Sequence, residues 1–126
     1  MSSPKKVMIA EDSSVIQNLT RKILSLQNYE ITSVKNGQQV LDLLNKESFD
    51  IILMDINMPV MDGIECTQKI RSLEDPGKSK VPIVAITGNA RNLSAQEYNE
   101  IGINELLQKP LNFDQLVTLV RKYTAD

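Results

Sequence analysis

Three carboxylates, one hydroxyl and one ammonium stand where this chain could do chemistry. Glu11 and Asp12 follow Val7-Met8-Ile9-Ala10, Asp55 follows Ile51-Ile52-Leu53-Met54, Thr87 closes Ile83-Val84-Ala85-Ile86, and Lys109 follows Leu106-Leu107-Gln108. A short apolar run that stops at a polar residue is the pattern of a strand buried on both faces, whose carboxyl end opens into a crevice. Carboxylates gathered at neighbouring strand ends repel one another, and a divalent cation or an ammonium relieves that repulsion. Mg²⁺ suits such a site because it prefers oxygen ligands, accepts one or two carboxylates and keeps several waters. A carboxylate nucleophile, a metal, a hydroxyl and a lysine are together the parts needed to move a phosphoryl group.

The rest of the composition narrows the choice. The sequence has no histidine and a single cysteine, Cys66. A zinc site of His and Cys is excluded, as are disulfide frameworks and Ser-His or Cys-His nucleophile pairs. Any phosphohistidine in the chemistry must therefore belong to another molecule or another domain. The 126 residues are 41% hydrophobic and 24% charged, which is the balance of one globular domain. The formal net charge is −2 and the 14 Lys and Arg are scattered, so no basic stripe suggests a nucleic-acid surface. No apolar run approaches the ~20 residues of a membrane span, and Met1 to Lys6 lacks the core of a signal peptide. A cytoplasmic protein without membrane contact is expected.

Strands and helices must alternate to carry these residues. Lys6–Ala10, Tyr29–Val34, Ile51–Asp55, Ile83–Thr87 within Val81 to Thr87, and Glu105–Gln108 read as strands. Between them, a helix from Ser14 turns Ile16, Leu19, Ile23 and Leu26 to one side, and a second from Asn36 turns Val40, Leu41 and Leu44 inward. A third, after Asp62-Gly63, carries Cys66, Thr67, Ile70 and Leu73; a short polar fourth runs from Ser94 to Ile101 and stops at Gly102; the last buries Phe113, Leu116, Val117 and Val120. Glu74 to Lys80 reads as a polar loop and Gly88 to Leu93 as another. Ser14 with Gln17, Asn36 with Gln39, Asp62 with Glu65, Ser94 with Glu97 and Asn112 with Gln115 repeat one device, a capping residue three before Glu or Gln. The outcome is an α/β chain of (βα) repeated five times, a single doubly wound parallel sheet. For five strands the flavodoxin-like order 2-1-3-4-5 is expected; it would make strands one and three neighbours and bring Glu11, Asp12 and Asp55 together.

Taken in order, Glu11-Asp12, Asp55 followed by Ile56-Asn57-Met58-Pro59, Asp62-Gly63, Thr87-Gly88 and Lys109-Pro110 resemble the receiver domain of two-component response regulators. The resemblance runs from Lys5 to Tyr123 and sets an expected domain of residues 5–124. It implies that Asp55 accepts a phosphoryl group from the phosphohistidine of a histidine kinase or histidine phosphotransfer protein. Asp12 and Asp55 would bind Mg²⁺ through their carboxylates, Asn57 through its backbone carbonyl, and Glu11 through water. Thr87 and Lys109 would contact the phosphoryl group, and the Lys109-Pro110 bond would be cis. The product would switch contacts with a downstream effector, with the fourth helix as the moving element. On this reading the chain is a signalling domain that assists its own phosphorylation rather than a turnover enzyme.

Two other readings start from the same residues. Aspartate-nucleophile phosphatases resemble Asp-x-Asp-x-Thr, but the residue two after Asp55 is Asn57, so the general acid is absent. An adaptor that binds its partner without phosphorylation would have no need of the full acceptor set. Asp62-Gly63 reads as a cap and turn, and Met54, Met58 and Met61 as packing. Val15, beside the acidic pair, is a candidate contact for a partner helix. The receiver pattern occupies nearly all of the chain, which fits either a stand-alone receiver or one cut from a longer protein such as a hybrid sensor kinase. One position departs from the pattern: three residues before the lysine, where family members often carry Tyr or Phe, stands Leu106. Leu106→Tyr is expected to leave phosphorylation intact; its loss would show that an aromatic ring does not fit there.

Overall fold

A computed structural model of the chain describes residues 4–88 and 93–125. The strands are β1 (Lys6–Ala10), β2 (Glu30–Val34), β3 (Ile51–Asp55), β4 (Ile83–Thr87) and β5 (Glu105–Gln108). All pair in parallel, in the order β2-β1-β3-β4-β5. The expected strand order is thus the observed one, with β1 beside β3. The helices are α1 (Ser14–Ser25), α2 (Gly37–Lys46), α3 (Gly63–Arg71), α4 (Pro76–Ser79), α5 (Ala95–Ile101) and α6 (Phe113–Thr124).

Alternation along each strand divides the core into two layers. Met8, Ala10, Ile52, Met54, Ile83 and Ala85 pack with Val40 and Leu44 of α2, Cys66 and Ile70 of α3 and Tyr98 of α5. Val7, Ile9, Ile51, Leu53, Val84, Ile86 and Leu107 pack with Leu24 of α1 and Leu116 and Val120 of α6. Ile51 to Met54 are wholly buried, as a central strand covered on both faces must be. Each such side chain contributes roughly 1.5–3 kcal/mol of apolar burial. Burial also pushes the Cys66 thiol up to about 12, so it acts as a small core residue and not as a nucleophile. Met54, Met58 and Met61 are buried too, as the packing reading requires.

Four of the five expected helix caps are found. Asn36, Asp62, Ser94 and Asn112 accept from the backbone N–H of Gln39, Glu65, Glu97 and Gln115. Among the described residues only Ser94 closes a full capping box, with Glu97 Oε1 accepting from its N–H. The cap of α1 is Ser13 and not Ser14, because Ser13 Oγ accepts from Ile16 N–H at 3.3 Å. Gln17 is therefore not a capping partner. The inward face of α1 also differs from expectation. Gln17, Thr20 and Leu24 are buried, whereas Leu19 and Leu26 are exposed. Hydrogen bonds make that face habitable for polar groups: Gln17 donates to two carbonyls and Thr20 to Ile16 O. The polar stretch Glu74–Lys80 holds one extra short helix, α4, started by Asp75 and Pro76. The expected loop Gly88–Leu93 lies outside the described residues at 89–92. No described helix is long and apolar enough to cross a membrane.

Two backbone positions shape the crevice at the strand ends. Gly63 starts α3 directly against the end of β3; a Cβ there would lie 2.6 Å from Asp55 O and 2.9 Å from Ile56 Cα. Its N–H donates to Ile56 O at 2.9 Å, closing the loop after Asp55. Val60, at the tip of that loop, has φ 69° and is 80% exposed. A left-handed conformation costs an L-residue roughly 1–2 kcal/mol, and a β-branched one has no local hydrogen bond to offset it. Val60→Asn is expected to raise the urea midpoint by the equivalent of about 1 kcal/mol. An unchanged or lower midpoint would contradict strain at this position.

Candidate functional site

The β1–β3 register pairs Ala10 with Met54, so the next residues out, Glu11 and Asp55, emerge side by side at the sheet's carboxyl edge. Both are nearly sealed from solvent, at 3% and 2% exposure. Lys109 reaches them from the far side of β4. Its N–H donates to Thr87 O at 2.8 Å, extending the β4–β5 pairing by one bond. Its Nζ stands 3.2 Å from Asp55 Oδ2 and 3.6 Å from Glu11 Oε1. The Lys109 side chain thus bridges from the end of β5 across β4 to the end of β3.

Hydrogen bonds fix both carboxylates. Asp55 Oδ1 accepts the N–H of Asn57 at 3.0 Å, so the loop's first turn holds the side chain that precedes it. Glu11 Oε2 accepts the N–H of Ser13 at 3.0 Å. Glu11 Oε1 is buried and has no hydrogen-bond partner among the described residues. Burial raises the Glu11 carboxyl from 4.5 to about 6; the Asp55 carboxylate adds to the rise, while the Ser13 N–H and the Lys109 charge oppose it. A buried acid with one unsatisfied oxygen beside a second buried acid is the electrostatic signature of a functional site.

Glu11, Asp55 and Lys109 are thus in direct contact. Thr87 is 1% exposed at the end of β4, adjacent to Asp55's own partner Ile86. Asn57 and Asp12 are exposed at the rim. The three carboxylates do not close into one cluster: among the described residues no group of three His, Cys, Asp or Glu side chains is arranged to hold a metal. Glu11, one residue past the end of β1, faces Lys109, and Asp12, one residue further, has already turned outward. The Lys109-Pro110 bond is cis, as expected. Leu106 pairs with Ala85 and, with Ala95, Tyr98 and Ile103, lines a cavity of about 450 Å³ between α5 and β5.

One residue of this neighbourhood escaped the sequence reading. Gln17 is buried, and its amide nitrogen donates to Glu11 O at 3.1 Å and to Val34 O at 3.0 Å. Its spacing from Ser14 offers it only as a capping partner at the helix start. Its polarity carries no periodic signal, and nothing in the pattern marks a glutamine that turns inward.

Comparison with known proteins agrees with this geometry. Residues 7–121 match the family model described as "Response regulator receiver domain". Hybrid signal transduction histidine kinase I of Dictyostelium discoideum is 33% identical over 98% of this chain, which spans 8% of that kinase. The polar-differentiation response regulator DivK of Brucella anthropi is 29% identical, with 98% of each chain covered. Among solved structures, the receiver domain of sensor histidine kinase PA1611 from Pseudomonas aeruginosa PAO1, described with a magnesium ion coordinated in its active site cleft, has a TM-score of 0.86 at 29% identity, covering 98% of this chain and 99% of that one. Chemotaxis response regulator CheY4 of Vibrio cholerae has a TM-score of 0.85 at 28% identity, covering 95% and 98%. The parallel sheet, the acid pair at its switch point and the match over residues 7–121 place this chain in the response regulator receiver domain family of two-component phosphorelays.

Proposed function

We propose that Asp55 is the residue that takes the phosphoryl group, delivered by the phosphohistidine of a histidine kinase or histidine phosphotransfer protein. The observation that carries this reading is the setting of its carboxylate. It is buried at the end of the central strand, with Oδ1 on the Asn57 N–H and Oδ2 on the Lys109 ammonium. An Asp55 oxygen bonds to phosphorus while the phosphorus–nitrogen bond to the donor imidazole breaks, leaving its electron pair on that nitrogen. Lys109, already beside Oδ2, places its charge against the incoming phosphoryl oxygens. The Thr87 hydroxyl, buried at the end of the neighbouring strand, is the further donor for the same group. Attack of water on the aspartyl phosphate would return phosphate and the free carboxylate.

The donor set fits Mg²⁺. One or two carboxylates, a carbonyl and waters are all the ion needs, so the absence of a three-carboxylate cluster is no obstacle. Glu11 Oε1 is buried, lies 3.6 Å from Lys109 Nζ and makes no hydrogen bond among the described residues, so it has room to accept one from a water of the ion. Asp12 and Asp55 would hold the ion through carboxylates and Asn57 through its carbonyl. When bound, Mg²⁺ supplies positive charge against the phosphoryl oxygens. The neighbour structure with magnesium in its cleft supports the assignment. Asn57 in place of a second aspartate gives a phosphatase no general acid. The chain therefore acts as a signalling acceptor that assists its own phosphorylation and dephosphorylation. The added charge changes what a downstream effector meets on this surface.

With Mg²⁺ and acetyl phosphate, wild type is expected to gain an alkali-labile phosphoryl group by mass, chelator to abolish it, and Asp55→Asn to fail. Labelling of Asp55→Asn at the wild-type rate would overturn the assignment. A second outcome concerns pH. The folded Glu11 keeps its proton above the pH at which the unfolded side chain, near 4.5, has lost it. Its contribution to stability is therefore full below 4.5 and lost as pH rises through about 6. In metal-free buffer, urea unfolding of wild type should weaken across that window relative to Glu11→Gln, which stays neutral. Parallel curves for the two proteins would contradict the buried, shifted acid.

A further inference from the structure

We propose that Gln17 is a positioning residue for the metal site, acting through the backbone of Glu11; the proposal rests on the reading of the acidic pair as the Mg²⁺-binding end of the site. Both ends of residue 11 are held. Its N–H donates to Val34 O at 3.1 Å. Its carbonyl accepts from Gln17 Nε2 at 3.1 Å, and the same nitrogen donates to Val34 O at 3.0 Å. A single primary amide thus joins the last carbonyl of β2 to the first carbonyl beyond β1, from a helix that packs over both.

The need for such a tie follows from where the sheet ends. Parallel pairing of β1 with β2 stops at Ala10 and Val34. Beyond it, the chain must turn within two residues from the strand to the Ser13 cap of α1, carrying Glu11 inward and Asp12 outward. The Glu11 carbonyl has left the ladder while its residue is still sealed from water, so it requires a donor from the protein. Gln17 provides that donor without charge. A lysine or arginine in its place would bring a cation beside the acidic pair and compete with a bound metal. With the carbonyl tied, the direction of the Asp12 peptide is set and only the side chains remain to meet the ion. Groups that orient ligands in this way commonly alter metal affinity by ~10–100-fold when removed.

The test uses the full chain and three variants. Gln17→Met keeps the unbranched length without donors, and Gln17→Leu removes the donors with a shorter side chain; neither adds charge beside the acidic pair. Thr20→Val is the control; it removes a buried hydroxyl bonded to Ile16 O in the same helix, away from the acidic turn. Mg²⁺ affinity is measured by calorimetry, labelling by acetyl phosphate at saturating Mg²⁺, and backbone amide exchange at Glu11 and Ser13 without metal. Gln17→Met and Gln17→Leu are expected to weaken Mg²⁺ binding by about tenfold and to speed both amide exchanges, with the saturating labelling rate within about twofold of wild type. Thr20→Val is expected to bind Mg²⁺ as wild type does. Wild-type affinity in a folded Gln17→Met or Gln17→Leu would overturn the proposal, as would an equal loss in Thr20→Val. Failure of the wild type itself to bind Mg²⁺ would instead remove the site reading beneath it.

Discussion

Two buried carboxylates share one ammonium, and the crevice is built around that imbalance. Glu11 and Asp55 are nearly sealed, and Lys109 Nζ is 3.2 Å from one and 3.6 Å from the other. At such distances a unit pair interacts with energy on the order of 4 kcal/mol for an effective dielectric near 20, so the lysine cannot be a bystander. An exposed pair such as Lys69–Glu65 is worth only about 0.5 kcal/mol. One cation still leaves the trio with a net negative charge. A site that is short of positive charge and holds an unsatisfied acid oxygen is ready for a cation, and the fold supplies the rigidity that keeps it so.

That rigidity is local and backbone-based. Asp55 is held by its own loop, and the loop is closed by Gly63, where any larger residue would strike the Asp55 carbonyl. Glu11 is held by Val34, Gln17 and Ser13. On the far side, Arg71 ties the end of α3 to the carbonyls of Ser79, Val81 and Gly102, fixing the start of β4 and the turn after α5. The strand ends that carry the chemistry are thus set by backbone contacts, while the rim residues Asp12, Asn57 and Val60 remain open to solvent. Leu106 packs against the core with Tyr98 and Ile103 and lines the open groove between α5 and β5.

The sequence reading succeeded where periodicity and local chemistry agree. β3, with four apolar residues before Asp55, could hardly be anything but a central strand, and Asn36, Asp62, Ser94 and Asn112 each capped the helix their spacing implied. It went astray on α1. Ser13 and Ser14 are chemically equivalent as caps, and only the turn after Glu11 selects the first. Leu19 and Leu26 looked like core residues, yet the sheet edge beneath α1 offers open carbonyls that glutamine can satisfy and leucine cannot, while the buried Thr20 hydroxyl is satisfied within the helix by Ile16 O. Hydrophobic patterning cannot see an acceptor that belongs to another strand.

The sequence by itself determined the alternation of strands and helices, the burial of the central strands, the want of a histidine donor in the residues given, and the identity of the five chemically capable side chains. Each of these follows from local composition, which acts over a few residues. Tertiary structure alone decided that Lys109 spans β4 to meet two acids rather than one, that Asp12 stands outside the pair, and that Gln17 turns inward. Those outcomes depend on which strand ends become neighbours and which carbonyls the ladder leaves unpaired. No window of sequence contains both partners of a contact 54 residues apart, such as Lys109 with Asp55.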